Sequence, residues 1–207
     1  MPENKKCVRY KWVFAIKRGG TFRARLVACG YSQVPGIDFT ENFAPVITDV
    51  GYRILLVKHI VEGLSCYLID VETAFLHGDL EELIYMECPE GLEHENDEVL
   101  LLKKSLYGLV QAAGQFHKKW TEILINIGFE VNLADLCLFA KENKLFIGTY
   151  VDDNYVIGKE EDIVEFIEDV KGQGLKLTVE KGLNDYLSCN IVFDGKRKKL
   201  GLGNPIC

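Results

Sequence analysis

From Leu64 to Glu180 the chain reads as strand, helix, strand-turn-strand, helix, strand, and few folds accept that order. LSCYLID (64–70) is an apolar strand that ends on an acid. Between Leu109 and Ile127 the residues Leu109, Ala112, Ala113, Phe116, Trp120, Ile123, Leu124 and Ile127 keep to one helical face, and Gly128 closes it. LCLFAKE and KLFIGTYV follow, then a three-residue turn Asp152-Asp153-Asn154, then YVIG, so that acids stand only at the tip of an apolar hairpin. A further helix, Glu160 to Lys171, turns Ile163, Phe166, Ile167 and Val170 inward and stops at Gly172, and LKLTVE returns as a strand. This is the split β-α-β order of ferredoxin-like α+β domains.

The flanks are simpler. KWVFAIK and FRARLVAC are predicted to pair as a hairpin around Gly19-Gly20. A helix is predicted over Thr48 to Val61, with Thr48 or Asp49 as N-cap, an inward stripe of Val50, Ile54, Val57 and Val61, and Gly63 beyond the end. DYLSCNIVF and KKLGL read as short strands. The acidic stretch from Glu81 to Glu98 reads as a solvated face and loop, and Trp12, Trp120 and most tyrosines as core.

With 207 residues, 48% of them hydrophobic, the chain can bury one sizeable core or two small subdomains. No apolar run approaches the ~20 residues of a membrane-spanning helix, and the start MPENKKCVRYKW lacks the apolar stretch of a signal peptide. The expectation is an intracellular protein, or a piece of a longer one, without a membrane partner. Seven cysteines, none in a C-x-x-C pair, and four scattered histidines leave no zinc site at ligand spacing. A metal here would be a hard cation on carboxylates.

The formal charge of −7 weighs against a free-standing nucleic-acid binder, since phosphate contacts need Lys and Arg. Local basic clusters oppose it: Lys5, Lys6, Arg9, Lys11, Lys17, Arg18, Arg23 and Arg25 near the start, Lys103, Lys104, Lys118 and Lys119 in the middle, and GKRKKL near the end.

The acids carry the chemistry. Asp-Asp-Asn is also ordinary turn composition, and a lone acid ending a strand is often a cap, so neither decides alone. Together, if Asp70 lies within ~10 Å of the hairpin tip, three carboxylates converge where like charges repel and divalent cations relieve them. A pair of ions ~4 Å apart is the arrangement that promotes in-line displacement at phosphorus.

The strings LIDVETAFLHGDLEELIYMECPEG, LLLKKSLYGLVQAA and TYVDDN, in this order, resemble the reverse transcriptase of Ty1/copia-type long-terminal-repeat retrotransposons. The likeness runs from about Lys11 to about Leu202 and takes in ARLVACGYSQVPGIDFTENFAPV and GLNDYLSCNI. It implies an α+β polymerase palm, with a ferredoxin-like split β-α-β core, plus a small β-rich fingers subdomain. The fingers would be about 11–47 and 78–105, the palm about 48–77 and 106–202, and the thumb, connection and ribonuclease H would be absent.

By the same resemblance Asp70, Asp152 and Asp153 are catalytic and, with the main chain of Val71, hold two Mg²⁺ ions, for which Mn²⁺ substitutes. Arg23 or Arg25 grips the triphosphate. Phe75 is the steric gate beneath the sugar, Tyr107 and Gln111 complete the dNTP site, and Gly108 and Tyr150 face template-primer. His77 and Gly78 form a structural turn. The implied partners are an RNA or DNA template-primer, dNTPs, and other parts of a Gag-Pol-type polyprotein such as integrase and ribonuclease H. The implied location is a cytoplasmic virus-like particle, or the nucleus.

Two departures stand out. Many relatives carry Pro, Arg and Trp where this chain has Ala113, Gly114 and Phe116, and Gly114 near a helix start costs ~1 kcal/mol against alanine. The loop between Ile16 and Phe22 is short for the family. The reading is an RNA-directed DNA polymerase domain, with a non-catalytic retroelement remnant serving as an interaction module as the alternative. A nucleotide cyclase on a similar core lacks its glycine-rich phosphate signature.

Overall fold

In the computed structural model, residues 6–16, 19–95 and 98–182 are described in full, and 185–186, 189–194 and 199–205 by their backbone. Lys5, Lys17, Arg18 and the side chains of GKRKKL lie outside the described residues. The chain is mixed α/β and divides into two compact units, residues 1–44 with 73–120, and 45–72 with 121–207.

The first unit is built from ribbons. β1 (Tyr10–Ile16) and β2 (Phe22–Ala28) form the expected hairpin, with Tyr10 opposite Ala28 and Ile16 opposite Phe22. β4 (Asp79–Glu87) pairs with β5 (Val99–Lys104). Val8 bridges to this second ribbon: its N–H donates to the Tyr85 carbonyl, and its carbonyl accepts from the Glu87 N–H. Val8, Ala28, Ile84, Leu109 and Ala112 form the core, with Phe75, Leu80, Leu102 and Leu106 packed against it.

Two expectations fail in this unit. The stretch from Glu81 is strand rather than loop through its first half: Glu81 to Glu87 belong to β4, where Ile84 and Met86 are buried, Glu81 and Glu87 are exposed, and Glu82 is half-buried and accepts from the Thr40 N–H (3.3 Å). Trp12 is not core. It is 41% exposed on a face of β1 shared with Phe14, because among the described residues the β1–β2 ribbon pairs with no third strand.

The second unit is organised by an antiparallel sheet of order β10-β3-β9-β8-β7-β6. Its strands are β3 (Ser65–Val71), β6 (Glu130–Asn132), β7 (Asp135–Lys141), β8 (Leu145–Tyr150), β9 (Asp153–Gly158) and β10 (Leu177–Lys181). The backbone of β11 (Asp185–Tyr186), β12 (Cys189–Asp194) and β13 (Lys199–Pro205) forms a separate three-stranded sheet. α1 (Asp49–Glu62) covers one face of the large sheet through Tyr52, Leu55 and Leu56, which meet Cys66, Tyr155 and Ile157. α3 (Glu160–Gly172) lies against β3 and β9 and buries Ile163, Phe166, Ile167 and Val170, as its periodicity predicts. Cys66 faces α1, whereas the Tyr67 hydroxyl bonds Glu160 of α3 at 3.2 Å, so the two helices take opposite faces.

The inward stripe expected for α1 is overturned. Val50, Ile54, Val57 and Val61 are 57–66% exposed, and the buried row is Gly51, Tyr52, Leu55 and Leu56. Periodicity could not choose between two apolar rows. The choice is made at the helix start, where Asp135 accepts from both the Thr48 N–H (2.9 Å) and its hydroxyl (2.8 Å), while Thr48 Oγ1 caps the Gly51 N–H. A Cβ at residue 51 would stand 2.6 Å from Asp135 Oδ2, so only glycine lets the helix approach on that side.

α2 (Ala112–Asn126) starts three residues later than predicted, because Leu109 to Gln111 make turn bonds and Gly108 has a φ of +88°. Phe116, Trp120, Ile123 and Leu124 are buried on its expected face. Gly114 has a local reason: a Cβ there would lie 2.8 Å from the Phe43 carbonyl oxygen.

Candidate active site

Strand register brings the acids together. β3 and β9 are neighbours, and Asp70 is paired directly with Asp153, Ile69 with Asn154. Directly opposed residues in antiparallel strands have Cα atoms ~4.5–5.5 Å apart and point to the same face, so these two carboxylates share a face at one end of the sheet. The expectation that Asp70 lies within ~10 Å of the hairpin tip is met. Thr178 of β10 extends the row beyond Asp70.

The hairpin differs from the three-residue turn expected. Tyr150 pairs with Asp153, leaving only Val151 and Asp152 in the connection, with Asp153 and Asn154 on β9. Val151 has a φ of +57°, a conformation that costs a β-branched residue ~1–3 kcal/mol. The Asp152 carbonyl compensates by accepting from the Val71 N–H (3.2 Å) and from Asn154 Nδ2 (3.0 Å). Tyr150 is 39% exposed beside the tip.

Asp70 and Asp152 are half-buried, and Asp153 keeps an open side. Crowding by the surrounding protein, then the charges of Asp152, Asp70 and Glu180, push the Asp153 carboxyl up to about 6. Its solvent-facing side screens part of that effect. Glu180, on β10 opposite Leu68, was not anticipated as a fourth charge. Among the described residues no three His, Cys, Asp or Glu side chains stand close enough to hold one ion, so the acids are neighbours through their backbones without being closed around a common point.

Asn154 also escaped the sequence reading. It is fully buried, and its amide donates to the carbonyls of Ile69 (3.2 Å) and Asp152 while accepting from the Thr149 hydroxyl (2.8 Å). The signal was a lone amide in an apolar strand, which reads equally well as turn composition.

The other candidate residues lie in the first unit. Arg25 stands over the Tyr107 ring, 5.0 Å from its centroid, and Phe75 meets the same ring edge-on with centroids 5.0 Å apart. Arg23 shares the β2 face of Arg25, and no partner holds its side chain among the described residues. Gly108 presses the chain against β2: the Tyr107 carbonyl accepts from the Ala28 N–H, the Gly108 carbonyl from the Gly30 N–H, and a Cβ on Gly108 would sit 2.2 Å from the Ala28 oxygen. Gln111 is buried, accepting from Gln33 Nε2 (3.0 Å) and donating to the Asp38 carbonyl (2.9 Å). His77 ends a short 3-10 turn, and Gly78 follows with Gln115 where a Cβ would be.

Against known proteins, the family model described as reverse transcriptase (RNA-dependent DNA polymerase) matches residues 1–205. The chain belongs to that family. A retrovirus-related Pol polyprotein from transposon TNT 1-94 of Nicotiana tabacum is 34% identical over 98% of this chain and 16% of its own length. The Pol polyprotein from transposon RE2 of Arabidopsis thaliana is 30% identical over 97% of this chain and 14% of its own length. The Gag-Pol polyprotein of transposon Ty1-DR4 of Saccharomyces cerevisiae is 30% identical over 98% and 13%. The likeness to Ty1/copia-type reverse transcriptases is thus borne out over nearly the whole chain, which spans about a sixth or less of these polyproteins.

Proposed function

We propose that this reverse transcriptase domain is an RNA-directed DNA polymerase, with a palm of about 48–77 and 106–202 and fingers of about 11–47 and 78–105. The connectivity β3-α2-β8-β9-α3-β10, with β10-β3-β9-β8 adjacent in the sheet, supports a ferredoxin-like palm. The observation that carries the reading is the pairing of Asp70 with Asp153 beside a turn that presents Asp152.

The donor set fits Mg²⁺. It consists of hard oxygen ligands, and burial, followed by the neighbouring charges of Asp152, Asp70 and Glu180, raises the Asp153 carboxyl, an effect that a divalent cation would relieve. Asp70, Asp152, Asp153 and the Val71 main chain would hold the ions, with Mn²⁺ as substitute. Bound there, the metal would lower the pKa of a primer 3′-hydroxyl and stabilise charge on a departing pyrophosphate. The protein's own part is placement. The sheet fixes the acids, and Arg25 or Arg23 neutralises triphosphate charge. Phe75, braced by Tyr107, excludes a 2′-hydroxyl, and Gln111 holds the supporting loop from behind.

Primer extension on an RNA template with dNTPs and Mg²⁺, in a chain long enough to polymerise, tests this. Extension should vanish in Asp70→Asn and Asp153→Asn. A parent protein that binds heteroduplex but never extends it, at any metal concentration, would instead support the interaction-module reading.

A further inference from the structure

We infer that Asn154 is a positioning residue that sets the spacing of the three acids and thereby the affinity of the site for divalent metal. The inference rests on the polymerase reading of those acids. Asn154 follows Asp153 on the central strand β9, so its side chain emerges on the opposite face of the sheet, where it is fully buried. From there one amide reaches three separate segments. Nδ2 donates to the carbonyl of Ile69, the residue before Asp70, and to the carbonyl of Asp152 itself, while Oδ1 accepts from Thr149 Oγ1 on β8. Each acid is therefore tied, within one residue, to the same planar group.

This grip does more than fill space. The amide holds the Asp152 carbonyl at the point where Val151 takes its left-handed conformation, so it opposes relaxation of the turn. An apolar residue of similar size would pack there but would release Asp152 and Ile69. An aspartate would be sterically equivalent and would set oxygen against two carbonyl oxygens. Neither change touches an acid that would bind metal. Loss of an orienting hydrogen bond behind a ligand costs ~10–100-fold in metal affinity.

Binding of Mn²⁺, read from the loss of its free EPR signal on titrating the folded chain, provides the test without requiring polymerisation. Asn154→Leu and Asn154→Asp should each weaken Mn²⁺ binding at least ~10-fold. Thr149→Val, which removes the bond to Oδ1 and leaves both Nδ2 bonds in place, should give a smaller loss in the same direction. Cys137→Ala, a buried change elsewhere on the sheet, should lower the melting temperature and leave Mn²⁺ affinity unchanged. Should the Asn154 variants fail to fold, Thr149→Val decides. Unchanged Mn²⁺ affinity in the folded variants, with the parent binding through Asp70, overturns the positioning role and leaves the polymerase reading intact. A parent chain whose Mn²⁺ binding is indifferent to Asp70→Asn removes the polymerase reading, and this inference falls with it.

Discussion

The acid tip of the second unit and the aromatic cluster of the first are assembled by different physics. Asp70 and Asp153 stand together because two adjacent strands of a six-stranded sheet are in register, a relation made by main-chain hydrogen bonds. Arg25, Tyr107 and Phe75 stand together because one ring is stacked by a guanidinium and met edge-on by another ring, on a scaffold of two-stranded ribbons. A place defined by register survives the loss of its side chains. A place defined by stacking depends on each member, and on the backbone approach at Gly108 that brings Tyr107 to β2.

The largest effect should separate activity from folding. Asp153→Asn and Asp70→Asn keep the register and remove charge where several kcal/mol of metal-borne stabilisation would act, so kcat should fall ~10³-fold or more. Melting temperatures should hold or rise, because a crowded charge has gone. A collapse of stability in either variant would show that the acids serve the fold.

The converse change belongs to the first unit. Gly108→Ala must place a Cβ against the Ala28 carbonyl at a φ of +88°, and should cost at least ~2 kcal/mol in urea unfolding. Next in size comes Phe75→Ala, which should raise rNTP use relative to dNTP by at least ~10-fold in kcat/KM while activity persists. Tyr107→Leu should move discrimination the same way by a smaller factor, since it leaves Phe75 without its brace. If single-nucleotide extension shows the wild-type sugar preference in Phe75→Ala, then Phe75 is a core aromatic.

What was legible in the sequence follows from how each feature is encoded. The acids at strand ends, the capped ends of α1 and the inward face of α3 are local patterns, and the structure reproduces them. The outward row of α1 was misread because Val50, Ile54, Val57 and Val61 are as apolar as the row that packs. Asp135, 87 residues from Thr48, fixes which side faces the sheet. Trp12 was misread because hydrophobicity does not reveal whether a ribbon has a covering layer. Asn154 was missed because its meaning lies in Ile69 and Thr149, partners that adjacency in sequence does not disclose.

The smallest effect is also the most direct reading of the acid tip, and its sign can be worked out. Asp153 titrates near 6 in the folded chain against an ordinary 3.8, because protein atoms crowd it and Asp152 and Asp70 repel its charge. Between these values the folded state binds more protons than the unfolded one, so stability falls as pH rises through this window. Metal-free protein should therefore be somewhat more stable near pH 5 than near pH 7 as far as this group is concerned, the reverse of a carboxylate held by a salt bridge. Solvent on the open side of Asp153 keeps the change modest. Asp153→Asn should flatten that part of the profile, and carboxyl-carbon NMR should place the midpoint near 6 in the parent. Saturating Mg²⁺ would favour the charged form and move the midpoint down. If the midpoint stays at an ordinary carboxylate value without metal, the three acids do not sense one another, and register alone has not made them a site.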